Sequence, residues 1–326
     1  MRILIHSISF HPNIGGLERV MKGLADEWSA KGHEVIVYTQ ASNKAMNGLH
    51  YEVIRQYNGW QLLLAMRSAD VIVESNISLY SCWIGAMFPK KWFVIHHLPY
   101  QHADNWKQQL KNQFTKIANN ISVSHYVAST LKGQSSVIHN FVDQEFRITD
   151  QQRRTIDFCF LGRLVSDKGA DLLIQAFAQL YQKDPYLRLT IIGEGPDFFY
   201  LERLVDELSL RQAIRFTGAM TGETLVEALN KHKVLVAPAK WKEPFGLIAL
   251  EGLACGCKVV CPNEGGLPEA VGDLGFLYAS NDVQDLSRAM LLALQSPVQD
   301  ASTHLKQFNK SEVAQTYLNH FRKVFA

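Results

Sequence analysis

The sequence predicts an α/β protein built from two Rossmann-like parallel-sheet domains facing each other across a cleft. Three observations predict it. Short apolar runs alternate with longer amphipathic ones along the whole chain. Those short runs are nearly continuous in apolar residues, as strands are when both faces of a sheet are covered. The alternation pauses once, in the polar stretch FVDQEFRITDQQRRT at 141–155, and then restarts. Strand–helix alternation is the pattern of a parallel sheet flanked by helices, so two such arrays imply two domains.

RILIHSIS opens the chain as a strand. GLERVMKGLADEWSAKG follows as a helix, because Leu17, Val20, Met21, Leu24 and Trp28 share a face and Gly32 is placed to end it. EVIVYT, LHYEVI, DVIVES, WFVIHH and ISVS are further strands, separated mostly by helical stretches near 60–67, 77–87, 104–118 and 124–132. After the pause, IDFCFLG, LRLTIIG, IRFTG, KVLVAP and KVVCP read as strands, with helices near 168–183, 197–208, 221–231 and 244–255. The final stretch, SEVAQTYLNHFRKVF, reads as a helix with Ser311 as its N-cap. The domains are therefore 1–143 and 156–309, with a linker at 144–155 and a closing helix at 310–326.

Composition excludes more than it selects. At 326 residues, 47% hydrophobic and 20% charged, the chain has the make-up of an ordinary globular protein. Its net charge of +2 gives no argument for nucleic acid. Residues 1–143 carry 13 Lys and Arg against 9 Asp and Glu, and the remainder 20 against 22, a modest tilt. Five cysteines, with no secretory leader in MRILIHSISF, suggest reduced thiols and a cytoplasmic protein. Cys255, Cys257 and Cys261 lie close together without the usual zinc spacing, and read as small apolar side chains. No apolar run has the length of a membrane span.

In open α/β sheets ligands bind beyond the carboxyl ends of the strands, so the loops after strands are where chemistry belongs. After the first strand, Gly15 and Gly16 precede a helix and allow close backbone approach to an anion. After IDFCFLG, Arg163 and Lys168 bracket a helix start. Cations there oppose the helix dipole, and a bound phosphate would remove the conflict. In GEGPDF, Gly193 begins a partial dinucleotide-like fingerprint whose third glycine is replaced by Phe198, and reads as a tight turn near a nucleotide.

The stretch WKEPFGLIALEGLACGCKVV follows VLVAP and holds Glu243 and Glu251. Pro244 suits a first helical position, leaving Phe245, Gly246 and Leu247 to offer backbone N–H groups. Glu251 stands in an apolar run and needs a partner. An ionised carboxylate only accepts hydrogen bonds, which suits a diol. Eight helical positions span about 12 Å, whereas a retaining glycosidase needs carboxyl groups about 5 to 5.5 Å apart. Glu243 and Glu251 therefore read as binders. His96 and His97 end another strand and alternate in direction, so at most one faces the cleft from that strand.

GGLERV, FLGRLVSDKGADLLIQAF, IIGEGP and EPFGLIALEGLACGCKVV followed by NEGGLPEAV resemble the family 4 retaining glycosyltransferases of the GT-B fold. The resemblance covers nearly the whole chain and is strongest over 156–280. It implies that Gly16 lines the donor diphosphate, that Arg163 and Lys168 bind it, and that Glu243 contacts the donor sugar. It further implies that Phe245, Gly246 and Leu247 offer N–H groups, that Glu251 holds the ribose, and that His97, with His96 as runner-up, is the active-site histidine. The last helix would pack back on the first domain. Such enzymes usually need no divalent metal, and the sequence lacks an Asp-x-Asp motif. Two departures stand out: the first domain is short, and NFVD at 140–143 has Phe141 where the family has glycine.

The expected reaction moves a sugar from a nucleotide-diphosphate donor, UDP-sugar first, to a hydroxyl of a glycan or glycolipid, with retention, in cell-surface polysaccharide or lipopolysaccharide synthesis. The alternatives are a sugar-nucleotide epimerase on the same fold and a non-catalytic nucleotide-sugar-binding subunit. MFPKKWF offers two readings: peripheral contact with the inner face of a membrane through Phe88, Lys90, Lys91 and Trp92, or a basic loop leading into a buried strand.

Overall fold

The computed structural model describes residues 1–13, 15–41, 48–100, 105–149 and 154–325. It divides into two compact units, Met1–Phe141 with Phe308–Ala326, and Val142–Gln307. Both are parallel sheets flanked by helices, the fold class that the sequence predicts.

The first unit has strands β1 Arg2–Ser7, β2 Glu34–Thr39, β3 Glu52–Ile54, β4 Val71–Ser75, β5 Trp92–His96, β6 Asn119–Ser122 and β7 Ser135–Val137. Their order in the sheet is β3-β2-β1-β4-β5-β6-β7, and every pair is parallel. The helices are α1 Gly16–Ala30, α2 Gly59–Ser68, α3 Cys82–Gly85, α4 Trp106–Phe114 and α5 His125–Ser129. Helix α1 buries Val20, Met21, Leu24 and Trp28, the face that its periodicity marks. Gly32, at φ +82°, closes it in a conformation that suits glycine. The helix expected over 77–87 is only the single turn of α3, and that expected over 104–118 is the shorter α4, residue 104 lying outside the described residues. Strand β7 is short and polar, which left it without a pattern in the sequence.

The second unit has strands β8 Ile156–Leu161, β9 Leu189–Ile192, β10 Ile214–Gly218, β11 His232–Val236, β12 Lys258–Pro262 and β13 Gly275–Tyr278. Their order is β10-β9-β8-β11-β12-β13, with parallel pairing throughout. Between and after them run α6 Ala170–Tyr181, α7 Phe198–Glu207, α8 Gly222–Lys231, α9 Leu247–Ala254, α10 Leu267–Val271, α11 Val283–Gln295 and α12 Ser302–Lys306. Leu173 and Phe177 of α6, Phe158 and Phe160 of β8, and Met290 of α11 meet in the core.

Of the stretch expected as a linker, residues 150–153 lie outside the described residues. Its described flanks are tied to the second unit: the backbone N–H of Thr149 donates to Asn230 Oδ1 at 3.0 Å, and Arg154 donates to the His232 carbonyl at 2.7 Å. The last helix, α13 Lys310–Phe325, belongs to the first unit. Trp28 of α1 meets Tyr317 and Phe321 edge-on, and its indole N–H donates to the Ala314 carbonyl at 3.1 Å. The N-cap of α13 is Asn309, not Ser311. Asn309 Oδ1 accepts from the backbone N–H of Ser311 and Glu312, whereas the Ser311 hydroxyl accepts from Lys31. Asparagine is as good a cap as serine and here comes first.

Candidate functional site

Each sheet has a point where the strand order reverses, between β1 and β4 in the first unit and between β8 and β11 in the second. Loops at such a point diverge and leave room for a ligand.

In the second unit those loops are 162–169 and 237–246, and the structure cross-links them. The Lys168 ammonium pairs with Glu243 Oε1, which also accepts from the Trp241 indole N–H at 3.0 Å. The Trp241 ring lies under the same ammonium, 5.3 Å from its centroid. Lys240 pairs with Asp171 in the first turn of α6, and its backbone N–H donates to the Asp167 carbonyl at 2.9 Å. Gly169 has φ +71°, and a Cβ there would stand 2.0 Å from the Pro238 carbonyl oxygen. Only glycine lets the two loops come this close.

The expectation that a bound anion relieves the charge of Lys168 at a helix start therefore meets an internal answer: in this structure Glu243 relieves it. Arg163 is different. It is exposed, and its guanidinium has no hydrogen-bond or ion-pair partner among the described residues.

Helix α9 starts later than its sequence suggests. Its first residue is Leu247 and its N-cap is Gly246, at φ +113°; Pro244 lies ahead of the helix. A Cβ on Gly246 would meet Leu267 at 2.4 Å, so the sharp turn into α9 is packed against α10. The first-turn N–H groups thus begin at Leu247, and Phe245 is buried in the core. Glu251 lies on α9 and is 4% exposed. A ligand hydroxyl can reach it only through that small opening.

Gly193 has φ +150°, and a Cβ there would stand 1.8 Å from the Gly162 carbonyl oxygen. Its N–H donates to the Gly218 carbonyl at 2.9 Å. Backbone packing between the loops after β8 and β9 explains this glycine. A groove of about 890 Å3 runs along the edge strand β10 and reaches Gly193, but neither Lys168 nor Glu243 lines it. Within it Arg211 donates to Glu202 at 3.0 Å, and the groove lies along the sheet edge, away from the cross-linked loops at the reversal point.

Gly15, Gly16 and His97 belong to the first unit. Gly15 is extended, and the Glu18 carboxylate folds back over it while accepting from the Ser9 hydroxyl at 2.5 Å. Gly16 begins α1. His96 is fully buried and bonded on both nitrogens, to Tyr100 OH at 3.1 Å and Asn120 Oδ1 at 2.9 Å. His97 is also buried, but its Nε2 has no partner among the described residues. Burial lowers both imidazoles, His96 to about 4 and His97 to about 3 with its neighbour adding to the effect, so both are neutral near pH 7.

Sequence reasoning passed over three residues here. Trp241 holds Glu243, Lys240 ties the loops, and Asn76, at φ 56°, accepts through Oδ1 from the backbone N–H of His97 at 2.8 Å and of Leu98 at 3.2 Å. Trp241 and Lys240 stand beside Glu243, where their proximity was a usable signal. Asn76 is distant in sequence and gave none.

The strand side chains at the first unit's reversal point are buried. His6 and Glu74 face each other across β1 and β4, fully buried, with Nδ1 to Oε1 at 3.5 Å. Glu74 also accepts from Ser78 N–H at 3.0 Å, from the Ser81 hydroxyl, and from the Trp92 indole at 2.9 Å. Trp92 is thus wholly in the core, and Phe88 packs against the same cluster. The membrane contact expected through Trp92 is overturned, because that ring is fully buried, whereas Phe88 is half-buried; the stretch is a basic loop leading into a buried strand. Lys91 is occupied by the Arg67 and Ala69 carbonyls at 2.8 and 2.7 Å.

All five cysteines are free and buried. Among the described residues no three His, Cys, Asp or Glu side chains converge as a metal site would require, and no helix is long and apolar enough to cross a membrane.

Two parallel-sheet domains of this kind define the class of GT-B glycosyltransferases. The chain is similar, with TM-score 0.82 and 19% identity, to Anabaena HepE in complex with UDP, over 99% of this chain and 100% of that one. The complex of HepE with UDP-glucose matches with TM-score 0.81 at 17% identity, over 99% of this chain and 100% of that one. Residues 141–312 match the model of the glycosyl transferases group 1 family, and the chain belongs to that family. It is 38% identical over 334 aligned positions to the uncharacterized glycosyltransferase MJ1607 of Methanocaldococcus jannaschii, covering 83% of each chain. It is 24% identical to a GDP-mannose-dependent monoacylated alpha-(1-6)-phosphatidylinositol monomannoside mannosyltransferase of Corynebacterium glutamicum, over 92% of this chain and 91% of that one.

Proposed function

We propose that this group 1 glycosyltransferase moves a sugar, with retention, from a nucleoside-diphosphate donor to a hydroxyl of a glycan or glycolipid. The observation that carries the reading is the joined pair of loops at the β8–β11 reversal point, with an exposed unpaired arginine on one and a glycine-capped helix start on the other. Arg163 would grip the diphosphate as a two-pronged cation, and the α9 N–H groups would face its oxygens. On donor binding, Lys168 would turn from Glu243 toward the phosphates, and Glu243 would be freed to accept from sugar hydroxyls. Arg163 and Lys168 would then act where leaving-group charge grows. Glu251 would accept from the ribose. In the first unit, Gly15 and Gly16 would approach the donor through backbone, and the unpaired Nε2 of neutral His97 would meet a substrate hydroxyl.

Glu243 is held by a cation and an indole, which suits a binder better than a nucleophile. The proposed step is therefore same-face attack: the acceptor oxygen forms the new bond to the anomeric carbon as the bond to the leaving diphosphate breaks. A phosphate oxygen takes the acceptor proton. UDP is the first candidate base, supported by HepE's bound UDP, and GDP the second, supported by the mannosyltransferase relative. The proposal includes no resident metal. It places the enzyme in the cytoplasm, in surface polysaccharide or lipopolysaccharide synthesis.

The test is a panel of UDP, GDP and ADP in thermal unfolding, followed by assay of nucleoside-diphosphate release with and without acceptor. A ligand at 100 times its dissociation constant should stabilise by about 2.7 kcal/mol. Release that needs an acceptor supports transfer. Epimerised donor without acceptor supports the epimerase reading, and donor binding with no turnover supports a binding subunit. No stabilisation by any of the three nucleotides overturns the donor site.

A further inference from the structure

Three helices of the first unit cover one face of its sheet. Leu62 and Met66 of α2, Cys82 of α3 and Phe114 of α4 all enter one core cluster with Trp92 beneath them. Their outer surfaces should then be polar, as on any helix with one buried stripe. They are not. Trp60 is 67% exposed on α2, Trp83 58% on α3 and Trp106 65% at the start of α4. Leu64, one turn from Trp60, and Met87, one turn from Trp83, are exposed beside them. The Trp83 ring meets Phe114 edge-on at 4.8 Å, which joins α3 to α4 at the surface. Half of the protein's six tryptophans are spent on this outer face, where hydrophobic burial gives no return unless something covers them.

The described charges around the face are mostly positive. Between residues 59 and 118 the described acids are the buried Glu74 and the exposed Asp70, whose carboxylate accepts from the backbone N–H of Arg2 at 2.8 Å. Against them stand the exposed Arg67, Lys90, Lys107 and Lys116 and the half-buried Lys111. Lys107 lies over the Trp106 ring at 5.8 Å. Asn119 donates to the Pro89 carbonyl at 2.8 Å, which sets Lys90 beside the turn carrying Lys116.

We propose that this face, α2–α3–α4 with Trp60, Trp83 and Trp106 at its centre, rests on the surface of an anionic lipid bilayer. Tryptophan has an apolar ring with one polar N–H and settles at the headgroup level. Lysine and arginine gain from the negative potential of an anionic leaflet. A second copy of this chain is a poorer occupant, because a two-fold contact would set the same cations against each other. This surface differs from the one expected at residues 88–92. Of those residues only Lys90 takes part, since Trp92 and Phe88 are packed inward and Lys91 is held by backbone carbonyls. The inference stands independently of the donor site.

The test is flotation of the full chain with vesicles of phosphatidylcholine plus phosphatidylglycerol, and with phosphatidylcholine alone. The protein should float with the anionic vesicles only, and raising salt should release it. Trp60→Ser with Trp106→Ser should weaken vesicle partitioning at least tenfold while leaving the unfolding midpoint unchanged. Lys107→Gln and Lys111→Gln should each weaken it about fivefold, the equivalent of about 1 kcal/mol. Lys91→Gln should have little effect. Failure of the parent to float, or flotation of the double tryptophan variant at the parent level, overturns the proposal. So does a lipid-free dimer that the tryptophan variant dissolves.

Discussion

The two units share a topology and treat its reversal point in opposite ways. In the first, the polar side chains between β1 and β4 are closed into the core, and Glu74 is satisfied by Ser78, Ser81 and Trp92. In the second, the side chains between β8 and β11 remain partly exposed, and Lys168 and Glu243 satisfy each other. A buried carboxylate with a full set of donors holds the fold in one arrangement, because removing any partner leaves a costly orphan. The Lys168–Glu243 pair keeps 21% and 15% side-chain exposure, so water still reaches it and a ligand phosphate can take the place of one partner. The same backbone plan thus yields a structural brace in one half and a candidate binding site in the other.

That contrast can be broken in several ways. The largest expected effect is on pH. Above pH 6.5 His96 and His97 are neutral in both folded and unfolded chains, and nothing is lost. Below it the unfolded chain takes up protons that the folded one refuses, so stability falls with pH until the folded values near 4 and 3 are reached. At pH 5 the two together should cost the first unit about 4 kcal/mol, read by denaturant unfolding at pH 7 and pH 5. A pH-independent midpoint would contradict their neutral burial. Next, Glu74→Ala should destabilise by about 3 kcal/mol or more, since it strands the Trp92 indole and the Ser81 hydroxyl.

Glu243→Gln should separate the two halves most sharply. It should destabilise by about 1 to 2 kcal/mol, since the amide oxygen can still accept from Trp241, yet reduce turnover by about 100-fold, measured on the same preparation. Equal losses of stability from Glu74→Ala and Glu243→Gln would erase the distinction. Smallest, Gly193→Ala should cost about 2 kcal/mol by forcing the Gly162 loop outward from a strained φ, detected as a lowered midpoint.

How far the sequence could be read follows the same division. In the second unit the strands are buried on both faces, so their apolar runs stand out, and the charged residues between them mark the loops. Arg163, Lys168 and Glu243 were legible as candidates for that reason, and Glu251 as an acid standing in the apolar run of α9. Strand β13, GFLY, was missed because it is short, with its first three residues only partly buried. Pro244 misled about the start of α9: proline suits a first turn, but the positive φ of Gly246 sets the helix start three residues later. In the first unit MFPKKWF was ambiguous in kind. A tryptophan beside lysines reads equally as surface or core, and only its indole bond to Glu74, 18 residues away, decides it. Likewise the exposed aromatic face arises from Trp60, Trp83 and Trp106, which the fold gathers from three helices and no local pattern connects.

The account rests on cations at the β8–β11 loops binding the donor's diphosphate. Titration calorimetry of UDP, and of GDP if UDP is silent, into the parent, Arg163→Ala and Lys168→Ala tests this most directly. Each substitution should weaken binding at least tenfold, about 1.4 kcal/mol, with the unfolding midpoint held in Arg163→Ala. Parent-like affinity in both variants would contradict it.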